Sequence, residues 1–435
     1  MTSKGLPGFR DFAPADLALR NYIFSVWRQV ASRYGFEEYD GPPLEPLELY
    51  TAKSGEEIVG QLYNFRDKGD REVALRPEMT PTLARMVAER ANGLKKPIRW
   101  FSMPQLFRYE RQQRGRLREH FQLNCDLIGE AGPLADAEII ALAVDLMRGF
   151  GLGPTDVRVR LSDRRALTAV LKQRGVADEG MSAAYQFIDK IERMRREDID
   201  KLNDQVHAFA PATVSDLEGV AKIRGMTAVE EALRGVPGGE MSIAPLRRTL
   251  AALDAMGLGE WIDVDFTVVR GLAYYTGTVF ELFDAQRTLR AICGGGRYDT
   301  LLASLGGVDL PALGFGMGDV VLGELLKDRD LRPAVGPTID VFLVAVTEED
   351  SPHVLRLAHE LRDAGLRIEY AFGPGGVGKQ LKLADTRGAR LAVVIGPDDR
   401  ARGEVQLRDL AGSTQSSVTI GTLAIRCREL LMRTA

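Results

Sequence analysis

A chain of 435 residues has room for two or three domains at ~100–200 residues each. Hydrophobic residues make up 45% and charged residues 27%, the ordinary balance of a soluble globular protein, so a core of normal size is expected. The net charge of −4 excludes a globally basic nucleic-acid binder, and any RNA contact has to come from local patches. Cys125, Cys293 and Cys427 are far apart and odd in number, which fits neither a disulfide framework nor a zinc-type spacing. His120, His207, His353 and His359 are too scattered for a metal cluster, and no metal site is expected. The opening segment carries Asp11 and Asp16 and no apolar signal core. No stretch approaches the ~18–20 apolar residues of a membrane span. A cytoplasmic protein is the expectation.

In chain order, Leu19, Tyr22, Ile23, Val26, Trp27 and Val30 recur at helical spacing, which predicts a helix over 15–34 with Gly35 as its stop. Pro42 and Pro43 forbid its continuation. Residues 61–76 read as a hairpin turning at Asp67-Lys68-Gly69-Asp70. Segments 98–110 and 119–129 read as strands, with an arginine-rich loop between them and a helix at 134–149 after them. Residues 162–255 are mostly helical and charged, in the style of an inserted domain. Strands are expected at 263–270, 274–283 and 287–293, then a Gly-rich turn and short helix at 294–305, a strand at 311–317 and a helix from about 319. Residues 330–338 read as a linker. Beyond it, strand (339–346), helix (351–364), strand (367–371), helix (377–387) and strand (391–395) alternate as in a small α/β domain.

Five segments could carry chemistry. Positions 108–118 hold five arginines and one acid, and arginine forks suit phosphate oxygens; a solvated basic turn is the plain alternative. Arg76-Pro77-Glu78-Met79-Thr80 places a carboxylate after a strand, where it could accept from an ammonium or simply start a helix. Val269-Arg270-Gly271-Leu272-Ala273-Tyr274-Tyr275 sets an arginine and two tyrosines between strands, which packed aromatics alone could explain. Cys293-Gly294-Gly295-Gly296-Arg297-Tyr298-Asp299 carries consecutive glycines that let a backbone approach a ligand closely. Gly373 to Lys379 matches the phosphate-loop spacing, but Gln380 stands where a Ser or Thr should hold Mg²⁺, so a surface loop is the better reading.

In this order the segments resemble the histidyl-tRNA synthetases, and the likeness spans nearly the whole chain. Gly8-Phe9-Arg10-Asp11 is similar to the family's opening. The first helix and the Pro43 segment look like class II motif 1, the dimer-forming motif; Phe107 to Arg118 looks like motif 2, and Gly314-Phe315-Gly316-Met317-Gly318 like the start of motif 3. Arg270 to Tyr275 and Gly295 to Asp299 resemble the two histidine-specific blocks. The resemblance implies an α+β catalytic core on an antiparallel sheet (1–160 and 256–328), a helical insertion domain (161–255), a linker (329–337) and a C-terminal α/β anticodon-binding domain (338–435). It implies a homodimer that joins histidine to ATP, carried as its Mg²⁺ complex, and then to tRNA(His).

Residue by residue, the resemblance implies that Arg108 and Arg270 grip the α-phosphate, Glu110 meets adenine and Arg116 holds the outer phosphates. It implies that Glu78, Thr80 and Gln122 bind the α-ammonium of histidine, and that Asp126 and Tyr275 read the imidazole while Tyr274 closes the pocket. No general base is needed, because the attacking carboxylate is already ionised at neutral pH. Two of the motifs depart from the pattern. Ala273 stands where the signature usually has Asp, and Val320-Val321 stand where motif 3 usually ends Glu-Arg. The lost γ-phosphate contact is expected to be replaced by Arg116, Arg118 or Arg297. Lys379, Lys382, Arg387 and Arg390 are candidates for an RNA-facing stripe. The rival is a catalytically silent paralogue, the regulatory subunit of ATP phosphoribosyltransferase. The C-terminal domain and the joint presence of Arg108, Arg116 and Arg270 speak against it.

Overall fold

The computed structural model describes residues 5–51, 60–191, 194, 196–204, 209–269, 274–333, 338–373, 375–412 and 414–432. The chain divides into two compact units, Met1–Pro333 and Ala334–Ala435. The expected residue Arg270, with Gly271, Leu272 and Ala273, lies outside the described residues.

The first unit contains strands β1 (Glu37–Glu38), β2 (Leu44–Pro46), β3 (Tyr63–Arg66), β4 (Glu72–Leu75), β5 (Ile98–Ser102), β6 (Gln105–Phe107), β7 (Glu119–Ile128), β8 (Val157–Asp163), β9 (Ile262–Val264), β10 (Thr278–Asp284), β11 (Cys293–Arg297) and β12 (Ala312–Gly318). Nine of them form one sheet, in the order β1-β5-β7-β12-β11-β10-β8-β9, with β6 alongside β7. The middle of the sheet is antiparallel and its two end pairs, β1·β5 and β8·β9, are parallel.

Alternation along the strands gives this sheet two unlike faces. Leu123, Cys125 and Leu127 of β7 and Leu313, Phe315 and Met317 of β12 enter the apolar core. Helices Pro14–Arg33, Pro133–Gly149 and Asp319–Asp328 cover that face with Trp27, Val30, Ile139, Ile140, Leu322 and Leu325. On the other face β7 presents Gln122, Asn124 and Asp126, opposite Gly318, Gly316 and Gly314 of β12.

A three-stranded sheet, β2-β4-β3, supplies the second wall. Its hairpin turns where the Asp67 carboxylate accepts from the backbone N–H of Gly69 and Arg71, with Asp70 left-handed at φ 59°. Strand β4 delivers Arg76, Pro77 and Glu78 to the start of helix Thr80–Arg90.

Several boundaries differ from expectation. The strand expected over 98–110 is two strands, β5 and β6, separated by Met103 and Pro104; proline donates no ladder hydrogen bond. Strand β8 runs through the expected boundary at 160/161, and the helices begin at Arg164. Those helices place Leu167, Phe187, Leu217 and Leu246 in the same core as the sheet, so the segment packs as a layer of the first unit. Strand β9 is short because the chain turns at Asp265, whose carboxylate accepts from the Thr267 N–H at 3.0 Å. The expected strand at 287–293 and the Gly-rich turn after it are replaced by a loop and then by β11, a central strand.

In the second unit the alternating pattern forms a five-stranded sheet, β14-β13-β15-β16-β17. These are β13 (Val341–Ala345), β14 (Ile368–Tyr370), β15 (Leu391–Ile395), β16 (Glu404–Asp409) and β17 (Thr414–Thr419). The first three are parallel and the last two antiparallel. Helices Ser351–Asp363 and Leu423–Met432 pack Leu357, Leu361 and Cys427 on one face, and helix Val377–Thr386 packs Ala384 on the other.

Candidate functional site

Two cavities meet on the polar face of the first unit's sheet. The inner one, about 70 Å³, is lined by Glu78, Thr80, Gln122, Asn124, Asp126, Tyr274, Tyr275 and Tyr298. The outer one, about 280 Å³, is lined by Glu110, Gly115, Arg116, His120, Arg290, Val320 and Val321. Arg108, Gln122, Gly294 and Gly316 belong to both walls. Each residue that the resemblance assigns to ATP or to histidine, within the described range, therefore lines one or the other cavity.

The floor exists because it has no side chains. A Cβ on Gly316 would come within 2.7 Å of Gln122 Cδ, and one on Gly314 would run into the Asp126 carboxylate and come within 2.6 Å of the Cys125 carbonyl oxygen. A Cβ on Gly296 would meet the Thr278 carbonyl oxygen at 2.5 Å and the Tyr275 ring at 3.0 Å. These glycines leave room for Gln122, Asp126 and Tyr275 to stand over the sheet.

The inner cavity holds two buried carboxylates. Asp126, 3% exposed, accepts a hydrogen bond from the Tyr298 hydroxyl. Burial pushes its carboxyl up to about 7, and the Tyr298 hydroxyl pulls back against that. Glu78, 5% exposed, accepts from the Tyr274 hydroxyl at 3.4 Å. Tyr274 packs against Tyr275 and Tyr298, with ring centroids 5.2 and 5.8 Å away. The Arg108 side chain reaches back to this wall, its Nε donating to the Pro77 carbonyl oxygen at 2.8 Å.

The outer cavity is cationic. Arg108, Arg116 and Arg290 line it against a single carboxylate among the described residues, Glu110, which is ion-paired to Arg116. His120 adds no charge: burial, then the nearby Arg108 and Arg10, hold its ring down to about 3. Arg10 ties the chain's opening to both flanks, bonding Glu119 of β7 at 2.6 Å and Asp319 of the following helix at 2.9 Å.

Two of the three expected replacements for the motif 3 arginine do not line either cavity. Arg297 is 1% exposed on the core face of β11, where it pairs with Asp136 at 2.9 Å, because strand alternation sends it away from the site. Arg118 lies over the Tyr109 ring at 4.1 Å, with its Nε donating to the Glu110 carbonyl oxygen at 3.3 Å. Sequence reading also missed Asn124, Tyr298 and Arg290. The alternation from Gln122 to Asp126 contains Asn124, and Tyr298 stands in the block from Gly295 to Asp299 without a role of its own; nothing local marks Arg290.

In the second unit Gln380 is buried. It donates to the carbonyl oxygens of Ala345 at 2.8 Å and Gly375 at 2.7 Å, which makes it a strap between strand and loop and leaves no hydroxyl for a metal. Of the expected basic stripe, Lys379 and Lys382 are exposed on one helix. Arg387 is paired with Glu369 at 2.7 Å, and Arg390 donates to the Leu431 carbonyl oxygen at 3.0 Å.

Residues 8–318 match the family model described as histidyl-tRNA synthetase, and residues 340–430 match the anticodon binding domain. A histidine–tRNA ligase of Opitutus terrae is 47% identical over 423 residues, covering 96% of both chains. A chloroplastic/mitochondrial histidine–tRNA ligase of Arabidopsis thaliana is 39% identical over 416 residues, covering 96% of this chain and 85% of that one. A crystal structure of histidyl-tRNA synthetase from Nostoc superposes with a TM-score of 0.80 at 26% identity, covering 99% of each chain.

Proposed function

The chain belongs to the histidyl-tRNA synthetase family, and from that premise we propose that its two joined cavities activate histidine with ATP and pass the histidyl group to the 3′ end of tRNA(His). The observation that carries this reading is the sharing of Arg108 by a small pocket with two buried carboxylates and a larger pocket lined by arginines.

The inner pocket takes the amino acid. Glu78, with Thr80 and Gln122 beside it, receives the α-ammonium, where a carboxylate makes charge-assisted hydrogen bonds. Asp126 and Tyr275 face the imidazole, and the Tyr298 hydroxyl fixes the orientation of Asp126. A side chain without matched ring nitrogens leaves these buried groups unpaired, which gives discrimination of up to roughly 10⁴-fold. Tyr274 closes the pocket by bridging to Glu78.

The outer pocket takes ATP as its Mg²⁺ complex, a substrate. Glu110 serves the adenine end, and Arg116 the outer phosphates. The histidine carboxylate attacks the α-phosphorus. A carboxylate oxygen–phosphorus bond forms, the bond to the bridging oxygen breaks, and pyrophosphate leaves with that electron pair. Arg108, on the shared wall, meets the charge that builds on the α-phosphate, and Arg270 is assigned to the same task. The tRNA terminal hydroxyl then displaces AMP.

Residues 1–160 and 256–328 are assigned as the catalytic core, 338–435 as the anticodon-binding domain and the helices of 161–255 to the acceptor stem. A homodimer in the cytoplasm completes the reading, supported by family membership; no helix among the described residues is long and apolar enough to cross a membrane. The regulatory paralogue is not favoured, because residues 340–430 match the anticodon binding domain. The test is ATP–pyrophosphate exchange with each of the twenty amino acids, followed by charging of total tRNA. Histidine alone should support exchange and charging. Exchange driven by another amino acid, or by none, would overturn the reading.

A further inference from the structure

Taking the outer cavity as the ATP site, and resting on that reading, we propose that Arg290 binds the terminal phosphates of ATP and supplies the contact that Val321 cannot make. Arg108 borders both cavities, so the reacting α-phosphate lies at the shared wall. The rest of the triphosphate extends into the outer cavity alone, where the remaining guanidinium groups among the described residues are Arg116 and Arg290.

The backbone puts Arg290 beside the start of helix Asp319–Asp328. The Gly318 N–H donates to the Ile292 carbonyl oxygen at 3.3 Å, and the Ile292 N–H to the Leu282 carbonyl oxygen at 2.8 Å. The segment carrying Arg290 is thereby pinned between β10 and the residues that open the helix. Arg290, Val320 and Val321 line one cavity.

Val321 explains why the start of the helix offers no cation. It is 8% exposed and belongs to the apolar core. Gly115 of the arginine-rich loop, at φ +76°, lies close enough that a Cβ there would sit 3.3 Å from Val321 Cγ2. The valine seats the loop beside the cavity that Arg116 lines, and the first turn of the helix, whose charged residue is Asp319, contributes no cation. Arg116 is ion-paired to Glu110, the one carboxylate lining this cavity among the described residues. A polyphosphate tail needs a second fixed cation, and a guanidinium binds phosphate oxygens in pairs. With Arg118 held over Tyr109 and Arg297 buried on the opposite face, Arg290 has the position.

The test compares the intact enzyme with Arg290→Gln and Arg290→Lys. In Arg290→Gln, KM for ATP in exchange and KM for pyrophosphate in the reverse direction should both rise about tenfold or more. KM for histidine should stay within about twofold, and single-turnover transfer from preformed histidyl-adenylate to tRNA should be unchanged. Arg290→Lys should recover part of the loss, because it retains the charge without the fork. Unchanged KM values for ATP and pyrophosphate would overturn the proposal while leaving the activity in place. So would an equal loss in histidine binding and adenylate transfer, the mark of a general structural defect. Absence of histidine-dependent exchange in the unsubstituted enzyme would instead remove the reading of the cavity on which the proposal stands.

Discussion

Two glycine-rich segments, Cys293–Arg297 in the first unit and Gly373–Gly378 in the second, share a composition and differ in nearly everything else. The first is a central strand in which a Cβ would collide with the neighbouring strands: one on Gly295 would run into the Gly314 carbonyl oxygen and approach Phe315 Cβ at 2.5 Å. At Gly373, Gly376 and Gly378 of the second, nothing lies within 4 Å of where a Cβ would stand. Glycine in the catalytic sheet makes space for other residues' side chains. Glycine before helix Val377–Thr386 only opens the chain, and the fixed element there is the buried amide of Gln380. The lesson is that a glycine run acquires meaning from what its neighbours place over it.

This contrast gives a ranked set of expectations. Gly314→Ala should have the largest effect. Its methyl group would occupy the place of the Asp126 carboxylate, so histidine-dependent exchange should fall by about a hundredfold or more, with a stability loss of roughly 1–3 kcal/mol from overpacking. Exchange kinetics and thermal unfolding read the two together. Normal activity in Gly314→Ala would break the idea of a floor that must be bare.

Asp126 comes next. Its folded-state carboxyl lies above its ordinary value, so its contribution to stability is complete below the unfolded value of ~3.9 and is lost as pH rises through about 7. Asp126→Asn should flatten that part of the pH–stability curve, and melting temperatures of both proteins from pH 4 to pH 8 measure it. A smaller effect is expected of Gln380→Ala, which strips a strap from the second unit at roughly 1–3 kcal/mol. Hydrogen exchange at Val341–Ala345 should quicken, with ATP–pyrophosphate exchange unaltered. The smallest is Gly378→Ala, in an open position on a helix, which should stabilise by about 0.5–1 kcal/mol in denaturant unfolding.

Much of the fold was legible because its signals are periodic. The apolar stripe from Ile23 to Val30 places the first helix, the turn chemistry at Asp67 to Asp70 places the hairpin, and the strand–helix alternation after residue 338 gives the second unit as far as β15, while β16, β17 and the helices Pro397–Arg402 and Leu423–Met432 were not read from it. Strand β11 was not legible. Three glycines show no alternation, and the partners that make it a strand, β10 and β12, are separated from it in sequence.

The site divides the same way. Glu78, Arg108 and Asp126 stand in segments whose order is recognisable. The pairing of Asp126 with Tyr298, 172 positions away, and the placing of Arg290 beside Val321 are products of the folded sheet. Arg297 shows the reverse error. It is a cation in a suggestive motif, and strand alternation turns it to the core, where Asp136 neutralises it.

The most direct measurement is the pair of Michaelis constants for histidine and for ATP in Asp126→Asn and in Arg116→Gln, taken in the exchange reaction. Joined but separate cavities require the first substitution to raise KM for histidine by about a hundredfold and leave ATP within about threefold, and the second to do the opposite. Equal shifts in both constants for both variants would contradict an inner pocket for histidine and an outer one for ATP.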